Sequence, residues 1–288
     1  MSINDHRCIS TVSKTNLLIV TDSRGRGIDY ELAFTQKICD CVQTTTEVIP
    51  GGNFKQLLQI AQAKDVELRR RGEKADYVII AGGICSLTKK AAWPHPRARS
   101  ILYDPKEDCV KKIIDNIDDA RKCFGNNVNI ATIPPASLQK YYKFMNGQDP
   151  SGVHLHRLEK QQVKLLQDLE TINKHIIAGN INRNIETIDW NRKVQSASLK
   201  KRNRGKSNLR RRVVKFTDRE LYDGVHATDK LQMQWFARLI EVTSKELKKT
   251  GGPLNSNAQI DSTSSDEEHV KMQWNPTTRE YEVVRRDS

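Results

Sequence analysis

The chain has 288 residues, enough for one sizeable α/β domain with tails or for two small domains. Only 37% of the residues are hydrophobic, which suggests one packed domain with polar appendages, and the formal net charge of +13 points to polyanionic partners such as nucleic acid, an anionic surface or an acidic protein. No apolar run reaches the roughly 18 residues of a membrane span, and Met1–Lys14 is polar without the core of a signal peptide, so no membrane span and an intracellular setting, cytoplasmic or nuclear, are expected.

Cys8, Cys39, Cys41, Cys85, Cys109 and Cys123 contain no CxxC and no paired spacing. Neither a disulfide framework nor a structural zinc site is expected from them. In chain order, Asn16–Thr21 is a short β-branched apolar run ended by Asp-Ser-Arg-Gly-Arg-Gly, which reads as a buried strand and a tight turn. Ile28–Cys41 reads as a helix. Thr44–Ile49 reads as a second strand, stopped by Pro50-Gly51-Gly52. Phe54–Arg71 has Leu57, Leu58, Ala61, Val66 and Leu68 at roughly helical spacing, and Asp76–Ala81 is a third strand ended by Gly82-Gly83.

A loop around Trp93-Pro-His-Pro follows, then a helix over Lys106–Phe124 with Val110, Ile113, Ile114 and Ile117 on one face. Val128–Ile133 is a fourth strand, stopped by Pro134-Pro135. A long helix from His154 to about Ile181 carries the stripe Leu158, Leu165, Leu169, Ile172 and Ile176. Ile185–Trp190 reads as a fifth strand, and Thr228–Leu247 as a closing amphipathic helix.

Strands alternating with helices predict a parallel sheet covered on both faces. The expected fold is therefore three-layer α/β/α, flavodoxin-like, with a central, mainly parallel five-stranded sheet. The domain runs over 16–249 with a basic insertion at 199–213, a polar extension at 1–15 and a disordered tail at 250–288. In such sheets the functional crevice lies beyond the C-terminal strand ends, which puts Ser23, Gly51/Gly52 and Gly82/Gly83 on one rim.

A serine becomes a nucleophile when a base takes its proton, and it works best where a strand turns into a helix and backbone N–H groups face the developing oxyanion. Thr21-Asp22-Ser23-Arg24-Gly25-Arg26-Gly27 fits that need, although Asp-Ser ahead of a helix is also an ordinary cap. Leu221-Tyr-Asp223-Gly-Val-His226-Ala-Thr228 supplies an Asp and a His three apart on a glycine-containing loop. Such a pair folds so that the carboxylate orients the imidazole; the plainer reading is a loop leading into a helix with a surface histidine.

Together these two elements resemble the SGNH, or GDSL-type, hydrolases. That family has a serine block near the N-terminus, two middle blocks of oxyanion donors and a final Asp-x-x-His block. Asp22-Ser23 with Gly27 is similar to the first block, with Thr21 where the family has Gly. Pro50-Gly51-Gly52-Asn53 looks like the second, and Asp223-Gly-Val-His226 like the last. The resemblance covers roughly Asn16 to Lys249. It implies a Ser23, His226, Asp223 triad acting on a small ester or acylated substrate without metal or cofactor. The implied oxyanion donors are the backbone N–H groups of Ser23 and of Gly51 or Gly52.

The third block departs from the pattern. Where the family has Gly-x-Asn-Asp, this chain has Gly82-Gly83-Ile84-Cys85-Ser86, so Ile84 or, in the favoured register, Cys85 takes the place of the asparagine. A thiol is a weak donor and isoleucine is none; a swing of Asn53 into the site is an alternative source. Cys85 as a nucleophile is a lesser alternative to a buried packing thiol.

Arg24 and Arg26 beside Ser23 are candidate contacts for an anionic substrate, or exposed first-turn arginines. Lys200, Lys201, Arg202, Arg204, Lys206, Arg210, Arg211 and Arg212 form a dense basic run ahead of the Asp-x-x-His loop. This run steers an anion, binds nucleic-acid phosphates, serves a nuclear partner as a localisation signal, or is simply solvated. It holds no aromatic residue for base stacking. The alternative function is thus a non-catalytic module of the same fold that binds nucleic acid or a nuclear partner. Ser264 and Ser265, followed by acids, weakly resemble a kinase site.

Overall fold

β1 (Thr15–Asp22) alternates its apolar side chains between two buried clusters: Leu18 and Val20 join one, Leu17 and Ile19 the other. A strand buried on both faces is what a sheet between two helical layers requires. The computed structural model describes residues 15–28, 42–103, 108–192, 194–201, 210–249, 271–275 and 280–284. The helix expected over Ile28–Cys41 lies outside them beyond Ile28, as do Cys8, Cys39, Cys41, Ser264 and Ser265.

β2 (Val42–Ile49) pairs parallel with β1, and α1 (Phe54–Arg70) follows across a turn. Asn53 caps α1 with a complete capping box: its side chain accepts from Gln56 N, while the Gln56 side chain accepts from Asn53 N. Val66, expected in the α1 stripe, is exposed; Asp65 is buried instead, accepting from Arg69 Nε (2.7 Å) and Ala75 N (3.2 Å). β3 (Tyr77–Ala81) pairs parallel on the other side of β1.

Between β3 and α2 (Cys109–Phe124) runs an unanticipated antiparallel hairpin, β4 (Thr88–Ala91) and β5 (Ser100–Tyr103), with the Trp93-Pro-His-Pro stretch as its loop. β6 (Val128–Ile130) completes a four-stranded parallel sheet of order β2-β1-β3-β6. α3 (Leu138–Asn146) was masked in the sequence by its shortness and by Pro134-Pro135 ahead of it; Ser137 caps it by accepting from Lys140 N. α4 (Gly152–Ile181) buries Leu158, Leu165, Leu169, Ile172 and Ile176, the expected stripe.

The fifth strand expected over Ile185–Trp190 is not formed as a strand. The segment lies along β6, but one ladder bond, Thr132 N to Ile188 O (3.0 Å), is supplemented by side chains: Asn129 Nδ2 donates to Glu186 O (2.8 Å) and Thr132 Oγ1 to Asp189 Oδ1 (2.8 Å). Trp190 stacks on Trp235 with ring centroids 5.3 Å apart and donates to Trp235 O, pinning the segment to the closing helix.

β7 (Gln195–Lys201) and β8 (Arg210–Phe216) pair antiparallel, so both ends of the basic run are strands; Arg202, Arg204 and Lys206 lie outside the described residues. α5 (Asp229–Lys249) closes the opposite face of the sheet with Leu231, Trp235, Phe236, Leu239 and Val242. α1, α2 and α4 cover the first face. Each fully buried aliphatic or aromatic side chain in these layers contributes about 1.5–3 kcal/mol. The tail, expected to be disordered, contains a further antiparallel pair, β9 (Lys271–Asn275) and β10 (Glu280–Val284), whose register sets Met272 against Val283 and Trp274 against Tyr281. That period-2 alternation is the strand signal its polar composition hid.

Candidate active site

Because β1, β2 and β3 are parallel and in near register, with Asp22 paired to Ile49 and Thr21 to Ala81, their C-terminal ends share one edge. Ser23, Gly51/Gly52 and Gly82/Gly83 all follow directly on that edge. Ser23–Gly25 forms a single 3-10 turn after β1. Asp22 is buried and accepts from Arg24 N (3.0 Å) and Gly83 N (2.9 Å), so one carboxylate closes the serine turn and ties it to the end of β3. Gly82 lets Asp22 approach: a Cβ there would lie 2.5 Å from its Cγ. Thr21 is accommodated by Gly25, where a Cβ would meet the Thr21 side chain at 2.2 Å.

The Asp223–His226 segment is a loop closed by the Leu221–Ala227 bridge and by Tyr222 N to His226 O (2.7 Å). Asp223 Oδ1 accepts from Val225 N (2.8 Å) and His226 N (2.7 Å), and Oδ2 faces His226 Nδ1 at 2.7 Å. Nε2 of the same ring lies 3.0 Å from Ser23 Oγ. Burial alone would push the Asp223 carboxyl up. The hydrogen bond and charge of His226, with the two backbone N–H groups, outweigh it and hold the group below the usual carboxylate value. Gly224 has φ +88 and sits where a Cβ would lie 2.6 Å from Ser137 O, so the loop packs tightly on the start of α3. Ser137 N donates to Gly224 O (2.6 Å) and Ser137 Oγ to Asp218 Oδ2 (2.6 Å).

Arg24, expected as an anion contact, is buried. Its Nε donates to Val225 O (3.2 Å), Nη1 to Pro134 O and Nη2 to Pro135 O (3.4 Å). The guanidinium is therefore a clamp between the serine turn, the histidine loop and the chain after β6. Sequence reasoning missed this role, because an arginine beside a reactive serine is read toward solvent. Arg26 lines the cavity at the site, and its carbonyl accepts from Gln232 Nε2.

The oxyanion side differs from expectation at several positions. Gly52 N donates to Ile49 O (2.9 Å) and closes the turn after β2, which leaves Gly51 as the other member of that pair. Asn53 Oδ1 is held by Gln56 N as the α1 cap (3.0 Å), and its backbone bridges Ile84. Ile84 is buried. Cys85 packs against the larger core cluster; burial, and then the charge of Asp22, push its thiol pKa up, which disfavours a thiolate nucleophile. Cys85, Cys109 and Cys123 form no disulfide among the described residues, and the Cys109 thiol donates to Ser86 O (2.9 Å).

Ser23 and His226 open into a cavity of about 1530 Å³. Its walls include Lys90, Arg97 and Arg99 from the β4–β5 hairpin and Tyr141, Phe144 and Met145 from α3. None of these was singled out from the sequence, although Arg97-Ala-Arg99 on a proline-bounded loop was a visible signal. Among the described residues, no group of three His, Cys, Asp or Glu side chains converges as metal ligands would, and no helix is long and apolar enough to cross a membrane.

No protein-family profile and no curated protein matches the chain. Among solved structures, it is similar to a GDSL-like lipase from Bacteroides thetaiotaomicron, at 14% identity and TM-score 0.48, over 82% of this chain and 89% of that one. It is similar to a lipase/acylhydrolase from Enterococcus faecalis at 14% identity and TM-score 0.43, over 82% and 96%. It is also similar to the psychrotrophic esterase EstA from a Pseudoalteromonas species at 14% identity and TM-score 0.45, over 82% and 100%.

Proposed function

We propose that the domain over 16–249 is a serine hydrolase of the SGNH type that cleaves carboxylic esters or acyl groups. The observation that carries this reading is the line of contacts from Asp223 Oδ2 to His226 Nδ1 (2.7 Å) and from His226 Nε2 to Ser23 Oγ (3.0 Å), opening into a cavity. Ser23 Oγ attacks the acyl carbonyl while His226 takes its proton. His226 then returns that proton to the leaving alcohol. Water repeats the sequence on the acyl-enzyme: its proton goes to His226, its oxygen to the carbonyl carbon, and Ser23 leaves reprotonated. Asp223, ionised through the physiological range, fixes the tautomer that presents a bare Nε2 to the serine. In this reading the backbone N–H groups of Ser23 and Gly51 are the oxyanion donors. No metal or cofactor enters these steps.

The test is covalent labelling of the purified protein by a fluorophosphonate probe, with turnover of a short p-nitrophenyl ester. Both are expected in the native protein and absent in Ser23→Ala; labelling that survives this substitution overturns the reading.

A second reading concerns the β7–β8 hairpin. Its register pairs Lys201 with Arg210, Lys200 with Arg211 and Leu199 with Arg212, which gathers five cations on three consecutive rungs. This favours a polyanion such as nucleic acid, in a cytoplasmic or nuclear setting, and the two readings are compatible. Binding to a duplex that weakens steeply with salt and is lost on deleting 200–212 supports it; salt-insensitive binding, or none, removes it.

A further inference from the structure

Resting on the hydrolase reading, the geometry points to a substrate that carries an anionic group, a carboxylate or a phosphate, bound by Arg97, Arg99 and Lys90 on the β4–β5 hairpin. The anion contact expected from Arg24 thus moves to another element. Lys90, Arg97 and Arg99 are exposed, line the same cavity as Ser23 and His226, and form no ion pair with a carboxylate among the described residues. The cavity's own carboxylates are Asp223, engaged with His226, and Asp229 at the start of α5. Three cations on one wall, with no carboxylate ion pair among the described residues, concentrate anions at the mouth of the cavity. Arginine forks match the oxygens of a carboxylate or phosphate in bidentate geometry.

The wall is built, rather than a loose solvated loop. Arg99 N donates to Asn146 Oδ1 (2.9 Å), and Asn146 Nδ2 donates back to Arg99 O (2.8 Å), which fastens the hairpin to the end of α3. Ser100 Oγ donates to Trp93 O (2.7 Å), and Ala98 N to His95 O (2.9 Å), so the loop is closed internally. The backbone that presents the two guanidinium groups is therefore fixed relative to the site. The α3 segment it is fastened to supplies the apolar part of the same cavity. Phe144 of α3 and Tyr222 of the histidine loop are 47% and 49% exposed and form an edge-on pair with centroids 5.0 Å apart. A basic strip next to an exposed aromatic shelf fits an ester with one charged and one apolar portion.

The experiment compares kcat/KM for two matched pairs of esters: p-nitrophenyl hemiglutarate against p-nitrophenyl butyrate, and 1-butyryl-glycerol 3-phosphate against monobutyrin. The native protein is expected to prefer the anionic member of at least one pair by tenfold or more at low salt. In Arg97→Ala/Arg99→Ala that ratio is expected to fall toward one, and in Arg97→Glu/Arg99→Glu to invert. A preference confined to the first pair assigns an acyl-borne carboxylate, and one confined to the second an alcohol-borne phosphate. A ratio near one in the native protein, or one that the variants leave unchanged, overturns this inference while turnover of the neutral esters leaves the hydrolase reading in place. Absent turnover together with absent fluorophosphonate labelling overturns both. Both arginines are exposed, so the variants are expected to melt as the native protein does.

Discussion

Two regions converge on the end of β1, and they are built for different purposes. In the loop from Leu221 to Thr228 the hydrogen bonds orient side chains: Asp223 is held by two backbone N–H groups and in turn holds His226. In the turns after β2 and β3 the comparable bonds hold the scaffold: Gly52 N to Ile49 O, Gly83 N to Asp22 Oδ2, and Phe54 N to Ser86 Oγ (3.0 Å). The Asp223–His226 pair is therefore held by several bonds at once, while the turns after β2 and β3 spend their bonds on the backbone. Under the proposed hydrolase reading the first region sets whether the reaction runs, and the second limits how fast.

The largest effect comes from breaking the first region. Ser23→Ala or His226→Ala is expected to lower kcat/KM for p-nitrophenyl butyrate by roughly 10⁴-fold or more. Activity within tenfold of native would mean the chemistry lies elsewhere. Asp223→Asn is expected to lower kcat by roughly 10²–10⁴-fold with little change in KM, because the imidazole loses its tautomer. The same variant has a stability signature. The Asp223 carboxyl lies below its ordinary value in the folded state, so its contribution is present at neutral pH and is lost as pH falls through that depressed value. Chemical denaturation between about pH 5 and pH 3 should then show a steeper loss for the native protein than for Asp223→Asn. Equal slopes would remove Asp223 as a charged partner of His226.

Arg24 ties the histidine loop to the serine turn and to the chain after β6, and its replacement is expected to rank next. Arg24→Lys keeps the charge but loses the fork that reaches Val225, Pro134 and Pro135. A cost of about 2–3 kcal/mol in stability is expected from the buried carbonyls left unpaired. A positioning role adds a kinetic mark that a purely structural one does not: kcat and the fluorophosphonate labelling rate are expected to fall roughly tenfold while KM holds. A fall in stability alone would reduce Arg24 to scaffold.

Much of this was legible in the sequence, for physical reasons. β1 and β3 hold apolar runs rich in β-branched residues, as two-sided burial requires, and the α4 stripe marked its buried face in advance. The meeting of Ser23 with the Asp223/His226 pair was legible because their residue types, and the glycine inside the pair, are a local signal. What stayed hidden depends on long-range partners. The clamp of Arg24 on Val225 spans 201 positions, and the loss of Gly52 as a donor follows from a turn bond to Ile49. The fifth strand failed because Asn129 and Thr132 side chains take over part of its ladder, which apolar patterning does not register.

The smallest expected effect sharpens the comparison most. In the favoured register Cys85, and in the other Ile84, takes the place of the asparagine in the SGNH pattern, and a working oxyanion donor is worth about 10²–10³ in rate. Restoring it as Cys85→Asn would repair the second region only if the side chain faced the reacting carbonyl. The structure argues otherwise. Cys85 is partly buried and packs against the larger core cluster. Its turn is fixed by Ser86 N to Gly83 O (2.9 Å) and Leu87 N to Ile84 O (2.9 Å) on one side and by the Ser86 bond to Phe54 N on the other. With the backbone of the turn so held, an asparagine at this position starts from a side chain packed against the core. Cys85→Asn is therefore expected to leave kcat within about threefold of native and to lower stability by about 1 kcal/mol, since a partly buried amide replaces a packed thiol. A gain of tenfold or more in kcat would mean that the turn after β3 is a dormant oxyanion hole one substitution from function. The contrast between the two regions would then lie in a single side chain rather than in how the second is built.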